Sequence, residues 1–260
     1  MGGVKYPEVF LSRCRGVWRD ENMRLISEKE AELIMYDIGE VFIKPTVDSC
    51  SGQNCRIINI KKGKVNIDGK EKTLSELIEM YGSDFLIQEK VICSDDIRNI
   101  YKESVNTFRI ITYIWEGDIY HAPSLMRIGR GGAEVDNAHA GGIFIGVSDE
   151  GYLREKAFTE FRNSFERHPD TNVLFAGYRI DGFNKVLSTA KTMHARLAQV
   201  GVVNWDFTID SHGDPIIIEA NMNLGGSIWL SEMANGCGPF GERLEPILRW
   251  IRSEEKRWHV

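Results

Sequence analysis

The chain has 260 residues, 42% hydrophobic and 27% charged, with 25 glycines and only 7 prolines. That composition excludes disorder, collagen-like repeats and low-complexity character, and the length fits one large domain or two small lobes. The 32 basic residues against 38 acidic ones leave a net charge of −6, which argues against broad nucleic-acid binding.

In chain order, residues 1–39 read as a lead-in segment. Within it SEKEAELIMYDIG (27–39) predicts a short helix, with Ser27 as N-cap, Glu30 three residues on and Gly39 as the stop. VFIKP (41–45) is a buried strand halted by Pro45, and RIINIKKGKVNIDG (56–69) is a hairpin around a Lys-Gly turn. TLSELIEMYG (73–82) predicts a helix with a glycine stop, and FLIQEKVI (85–92) another buried strand. Residues 40–103 thus make a small α+β lobe. The second lobe, 104–260, opens with two long antiparallel strands in 107–129 that turn at Glu116-Gly117-Asp118. GGIFIGV (141–147) adds a strand, 183–201 a helix, 203–223 a hairpin turning at residues 211–214, and 241–258 a closing helix. Two α+β lobes around a cleft is the expected architecture.

No apolar run approaches the roughly 20 residues of a membrane helix, and MGGVKYPEVF at the N-terminus lacks a signal peptide's apolar region. A soluble, cytoplasmic protein without membrane insertion is expected. The five cysteines (Cys14, Cys50, Cys55, Cys93, Cys237) contain no C-x-x-C pair, and Cys50 with Cys55 finds no second ligand pair for zinc. Free thiols are the expectation.

Three segments carry chemistry. On the last hairpin, Asp206 faces a partner strand bearing Glu219 and Asn221, which the strand period of two puts on one face. Three hard oxygen donors suit Mg²⁺, which takes one or two carboxylates and completes its shell with water and phosphate oxygens. The alternative, solvated charges on an edge hairpin, leaves unexplained a Glu directly after the apolar run Pro215–Ile218. The second segment is IKPTVDSCSGQN (43–54), where Lys44 ends a strand before a small-residue loop. Lysine on a rigid strand reaches phosphate as a point charge, and loop N–H groups offer it further donors. It is not a Walker A motif, and a strand-end lysine before proline is often a solvated edge. Third, Arg109 and Arg127 stand on neighbouring strands ahead of EVDNAHAGG (134–142). Two guanidinium groups on one face suit a phosphate or carboxylate, unless they pair with nearby acids. His194 is expected to be packed or hydrogen-bonded, and Trp205 to face away from Asp206.

Taken in order, strand Lys44 with its loop, LIQEKV (86–91), SVNTFRI (104–110), DNAHAGG (136–142) and WDF…IEAN (205–221) resemble the ATP-grasp superfamily. The separation of Asp206 from Glu219 is similar to that of D-alanine–D-alanine ligases. The run Arg109, Arg127, Asn137, Gly141-Gly142 is similar to that of glutamate ligases that modify a ribosomal protein. The nearest resemblance is to sugar-transfer-associated ATP-grasp proteins, found with capsule and exopolysaccharide genes, and it spans about residues 6–250. It implies an ATP-grasp fold with ATP held between antiparallel sheets. Lys44 would meet the ATP phosphates, with Ser51 and Gly52 in a loop (48–54) that closes over them. Gln88–Val91 would be the hinge, the backbone of Glu89 and Val91 meeting adenine, and Asn137 would belong to the nucleotide site. Asp206, Glu219 and Asn221 would hold Mg²⁺, and Arg109 and Arg127 would stabilise a transferring phosphoryl group or an acyl-phosphate. The implied reaction joins a small or sugar-linked carboxylate to an amine, giving ADP and phosphate, beside glycosyltransferase pathway partners. The alternatives are an ATP-grasp phosphotransferase and a nucleotide-binding pseudoenzyme.

Overall fold

The apolar side chains of the strands and of the helices that cover them gather into separate buried cores. The computed structural model describes residues 4–47, 52–67, 69–222 and 227–258. The chain divides into two units, one of Tyr6–Ile92 and one of Cys93–Val260 with Met1–Lys5. Both are mixtures of helix and antiparallel sheet, as the sequence leads one to expect.

The Tyr6–Ile92 unit holds an eight-stranded sheet of β1 (Val9–Cys14), β2 (Val17–Asp20), β3 (Leu25–Ile26), β4 (Gly39–Pro45), β5 (Arg56–Lys61), β6 (Lys64–Ile67), β7 (Lys70–Lys72) and β8 (Phe85–Glu89). Their order is β3-β2-β1-β8-β4-β5-β6-β7. Helices α1 (Glu28–Ile34) and α2 (Leu74–Tyr81) both begin with capping boxes. In each, the Ser27 or Thr73 hydroxyl accepts from the third helical N–H while Glu30 or Glu76 reaches back to the cap N–H. Ala31, Met35, Leu74 and Leu77 from the helical segments close a core over Leu11, Val41, Ile43, Ile58, Phe85 and Ile87.

Residues 1–39 are not a separate lead-in. β1 lies inside the sheet between β2 and β8, and β1–β2 is a hairpin whose turn residues Arg15 and Gly16 both have positive φ. The boundary falls after Ile92 rather than after Glu103. Its cause is that Ser94 N–H donates to Ile209 O at 2.8 Å, while Ile97 and Ile100 enter the core of the other unit.

That other unit contains α3 (Asp95–Ile100), β9 (Thr107–Trp115), β10 (Asp118–His121), β11 (Ser124–Ile128), β12 (Ile143–Val147), β13 (Ala157–Phe158) and β14 (Ser164–Phe165). These precede α4 (Phe183–His194), β15 (Val202–Ile209), β16 (Pro215–Asn221), α5 (Ser227–Asn235) and α6 (Leu244–Trp258). The sheet runs β14-β13-β12-β11-β9-β15-β16, with β10 on the outer half of β9. The long strand expected over 118–129 is therefore two, interrupted at Ala122-Pro123, where proline has no N–H for the ladder. One sheet face packs Phe108, Ile110, Met126, Trp205 and Phe207 against Phe183, Val186 and Ala190 of α4. On the opposite face Leu125 and Phe144 pack against Leu230 and Ala234 of α5. No helix among the described residues is long and apolar enough to cross a membrane.

Candidate functional site

In the unit of Cys93–Val260, the sheet face opposite the α4 core carries a row of polar residues, fixed by register. Arg109 on β9 pairs with Asp206 on β15, and Asp206 pairs with Glu219 on β16. Directly paired residues put their side chains on the same face, so the three lie side by side. Asn204 and Asn221 form the next pair along, and Arg127 on β11 is opposite Thr107. Ile218 is extra: Asp206 pairs with Glu219 but Phe207 with Ile217, a bulge that turns Glu219 to the Asp206 side.

Asp206 is 1% exposed, and Arg109 and Arg127 are each 9% exposed. Arg109 grips the Asp206 carboxylate with two donors, Nε to Oδ1 and Nη2 to Oδ2, the latter at 2.8 Å. Arg127 Nη2 donates to the same Oδ2 at 3.0 Å. The Arg127 guanidinium also faces Asp136 Oδ1 at 3.5 Å and donates to Thr107 Oγ1 from Nε at 3.1 Å and Nη2 at 2.8 Å. Two guanidinium groups and two carboxyl groups thus share one buried site. Burial pushes the Asp206 carboxyl up, but Arg127 and then Arg109 outweigh it and hold its pKa below the usual range. For Asp136 burial prevails over Arg127 and the Thr107 hydroxyl, and its pKa is raised. Burial also opposes the Arg127 cation, yet Asp136, Asp206 and Glu219 together raise its pKa.

The expected pairing of the arginines with a free anion is therefore replaced by pairing with acids of the chain. Glu219 is exposed rather than buried, so the argument that burial demands a metal there does not hold; the bulge delivers it to the surface. Asn221 is half-buried. Asn137 anchors the 3₁₀ turn Ala138–Ala140, its carbonyl accepting from Ala140 and Gly142 N–H at 3.0 Å each. In the Tyr6–Ile92 unit, Lys44 pairs with Leu86 and Phe42 with Gln88, so Lys44 and Gln88 share the sheet face away from that unit's core. Gln88 and Val91 are buried, Glu89 is half-buried, and Glu89 N–H donates to Glu8 O at 2.8 Å. Gly52 has a φ of 73°. Ser51, with most of the expected lid at 48–54, lies outside the described residues.

Mg²⁺ suits the donor set in kind: two carboxylates and an amide, all oxygen, on one face. Both Asp206 oxygens accept from arginine, but an ionised carboxylate has about four lone-pair sites and so retains capacity. Among the described residues there is no cluster of three His, Cys, Asp or Glu. Any cation here would rely on phosphate or water oxygens for the rest of its shell. Thr107 and Asp136 are the site residues to which the sequence assigns no role; both stand inside the SVNTFRI and DNAHAGG segments, whose polar residues between apolar ones are the available signal. His194 is buried and hydrogen-bonded to Thr112 and Val200, and Trp205 is in the core.

A buried arginine–carboxylate row thus stands beside an exposed carboxylate on one sheet face. The model of the sugar-transfer associated ATP-grasp family matches residues 2–247, and the chain belongs to that family. No curated protein matches it. Among solved structures it is similar to an N5-carboxyaminoimidazole synthetase from Staphylococcus aureus complexed with ADP, at 13% identity and TM-score 0.45, over 87% of this chain and 42% of that one. An L-amino acid ligase from Bacillus licheniformis is similar at 11% identity and TM-score 0.40, over 90% and 39%. A D-alanyl-alanine synthetase A from Vibrio cholerae is similar at 13% identity and TM-score 0.36, over 75% and 46%. The chain spans less than half the length of each.

Proposed function

We propose that the protein is an Mg²⁺- and ATP-dependent carboxylate ligase acting in the cytoplasm on surface-polysaccharide precursors. The observation that carries this is the convergence of Arg109 and Arg127 on Asp206 beside exposed Glu219, in a chain of an ATP-grasp family. Phosphoryl transfer needs positioning and charge neutralisation more than covalent protein chemistry, and buried guanidinium groups supply both. A substrate carboxylate oxygen attacks the γ-phosphorus and ADP leaves, giving an acyl-phosphate; an amine then attacks the acyl carbon and phosphate leaves. Arg109 and Arg127, held on Asp206, supply fixed positive charge beside the transferring phosphoryl group in the first step and the leaving phosphate in the second. Lys44, Ser51 and Gly52 would meet the ATP phosphates, Asn137 the nucleotide site, and Gln88, Glu89 and Val91 the base. Glu219, Asn221 and Asp206 would hold Mg²⁺, which when bound neutralises phosphate charge.

Incubation with ATP, a pool of sugar-linked and amino-acid carboxylates, and hydroxylamine tests the reading. A hydroxamate formed in step with ADP is expected, because hydroxylamine intercepts an acyl-phosphate. A phosphorylated alcohol without hydroxamate would replace the ligase by a kinase, and ADP at background level would leave a nucleotide-binding pseudoenzyme.

A further inference from the structure

We propose that Asp136 is a positioning residue that shares Arg127 with Asp206, so that Asp206 can release one guanidinium without stranding a buried arginine. The inference rests on the reading of Asp206 as a cation ligand. Asp206 carries three arginine hydrogen bonds, two from Arg109 and one from Arg127. A carboxylate so engaged holds two positive charges close by, which opposes the arrival of a third. Arg127 is the partner it can yield, because Arg127 has a second anion in reach.

Asp136 Oδ2 accepts from the Thr107 N–H at 2.9 Å and from its hydroxyl at 2.5 Å, while Oδ1 faces Arg127 at 3.5 Å. The single Thr107 hydroxyl proton goes to Asp136, so the oxygen's lone pairs are left to accept from Arg127. Thr107 and Arg127 are cross-strand partners, which keeps this bridge short. The loop that brings Asp136 in is built for closeness. A Cβ on Gly142 would lie 2.4 Å from Asp136 O, and Gly141 takes a φ of 93°. Only a glycine pair lets the chain fold Asp136 back onto β9. With Asp136 in place, Arg127 stays paired and aimed along the sheet whether or not Asp206 is occupied elsewhere.

The test is ADP binding by calorimetry on the full chain at rising Mg²⁺, read as the Mg²⁺ midpoint. Asp136→Asn removes the second anion, so Arg127 turns wholly to Asp206 and the midpoint should rise about ten-fold, the scale of one charge-assisted hydrogen bond. Adding Arg127→Met to Asp136→Asn should bring the midpoint back down, which a purely structural role for Asp136 would not do. If Asp136→Asn does not fold, Thr107→Val carries the same comparison by removing the bridging hydroxyl, with Thr107→Ser as the rescue. A midpoint unchanged by the folded variants, or a shift that persists in the double variant, overturns the inference and leaves the proposed function standing. A wild-type chain that binds ADP without regard to Mg²⁺ overturns both.

Discussion

At the scale of the residue, Asp206 sets the energetics of the site. Its carboxylate is out of water, and breaking a buried ion pair by removing one partner costs roughly 3–5 kcal/mol because the remaining charge is left uncompensated. Asp206→Asn keeps the shape but not the charge, and we expect a loss of about 3 kcal/mol at pH 7 in a denaturant titration. The folded-state pKa of Asp206 is depressed, so its contribution is present above the unfolded value of about 3.9 and is lost as pH falls through the lower folded value. The gap between wild type and Asp206→Asn should therefore narrow below about pH 4; a gap independent of pH would deny the ion pairing. Asp206, Glu219 and the two arginines are legible in the sequence as charges set among apolar strand residues. Their partners are not. Thr107 is an ordinary strand residue until Arg127 is found opposite it, and that pairing is a matter of register between segments 20 positions apart.

At the scale of the element, local chemistry explains most of what can be read and tertiary pairing the rest. Both capping boxes are visible as Ser or Thr with Glu three residues on, and both form. Thr73→Ala removes the hydroxyl that accepts from Glu76 N–H, and about 1 kcal/mol of stability should go with it. Thermal melts of the variant and of Thr73→Ser check this; equal losses in both would mean that the cap is not the cause. Helix α1 ends at Ile34, short of the stop expected at Gly39, and α4 at His194, short of Gly201. In α4 the His194 Nε2–H donates to Val200 O at 2.7 Å, tying the chain that follows into turns. The run Ile216-Ile217-Ile218 breaks the alternation expected of a half-buried strand, and the bulge at Ile218 is the physical meaning of that break. A one-residue irregularity of this kind decides which side of the sheet Glu219 faces.

At the scale of the whole molecule, each unit has its own core, which the sequence anticipates, but segments join cores by contacts that no local pattern records. Val4 packs on the core of the larger unit, and Lys5 O accepts from Ile217 N–H at 2.9 Å. Lys5 Nζ donates to Asp210 at 3.0 Å and to Asp214 at 2.7 Å. On the return, Cys93 bridges to Asp210. The chain thus leaves and re-enters the larger unit at one place, the β15–β16 turn. A chain in which a short Gly-Ser linker joins Lys5 to Cys93 should fold, with Trp205 still buried; loss of the blue-shifted emission of a buried tryptophan and no cooperative melt would show that it does not. Of the six tryptophans, only Trp18, edge-on to Phe85 at 5.5 Å, lies in residues 6–92, so it reports on that segment alone. At the level of the gene, the shared anchorage at Asp210 makes the smaller unit a single contiguous cassette. It can be gained, exchanged or lost in one step, while the codons for the arginine–aspartate row stay together on the other side of the join.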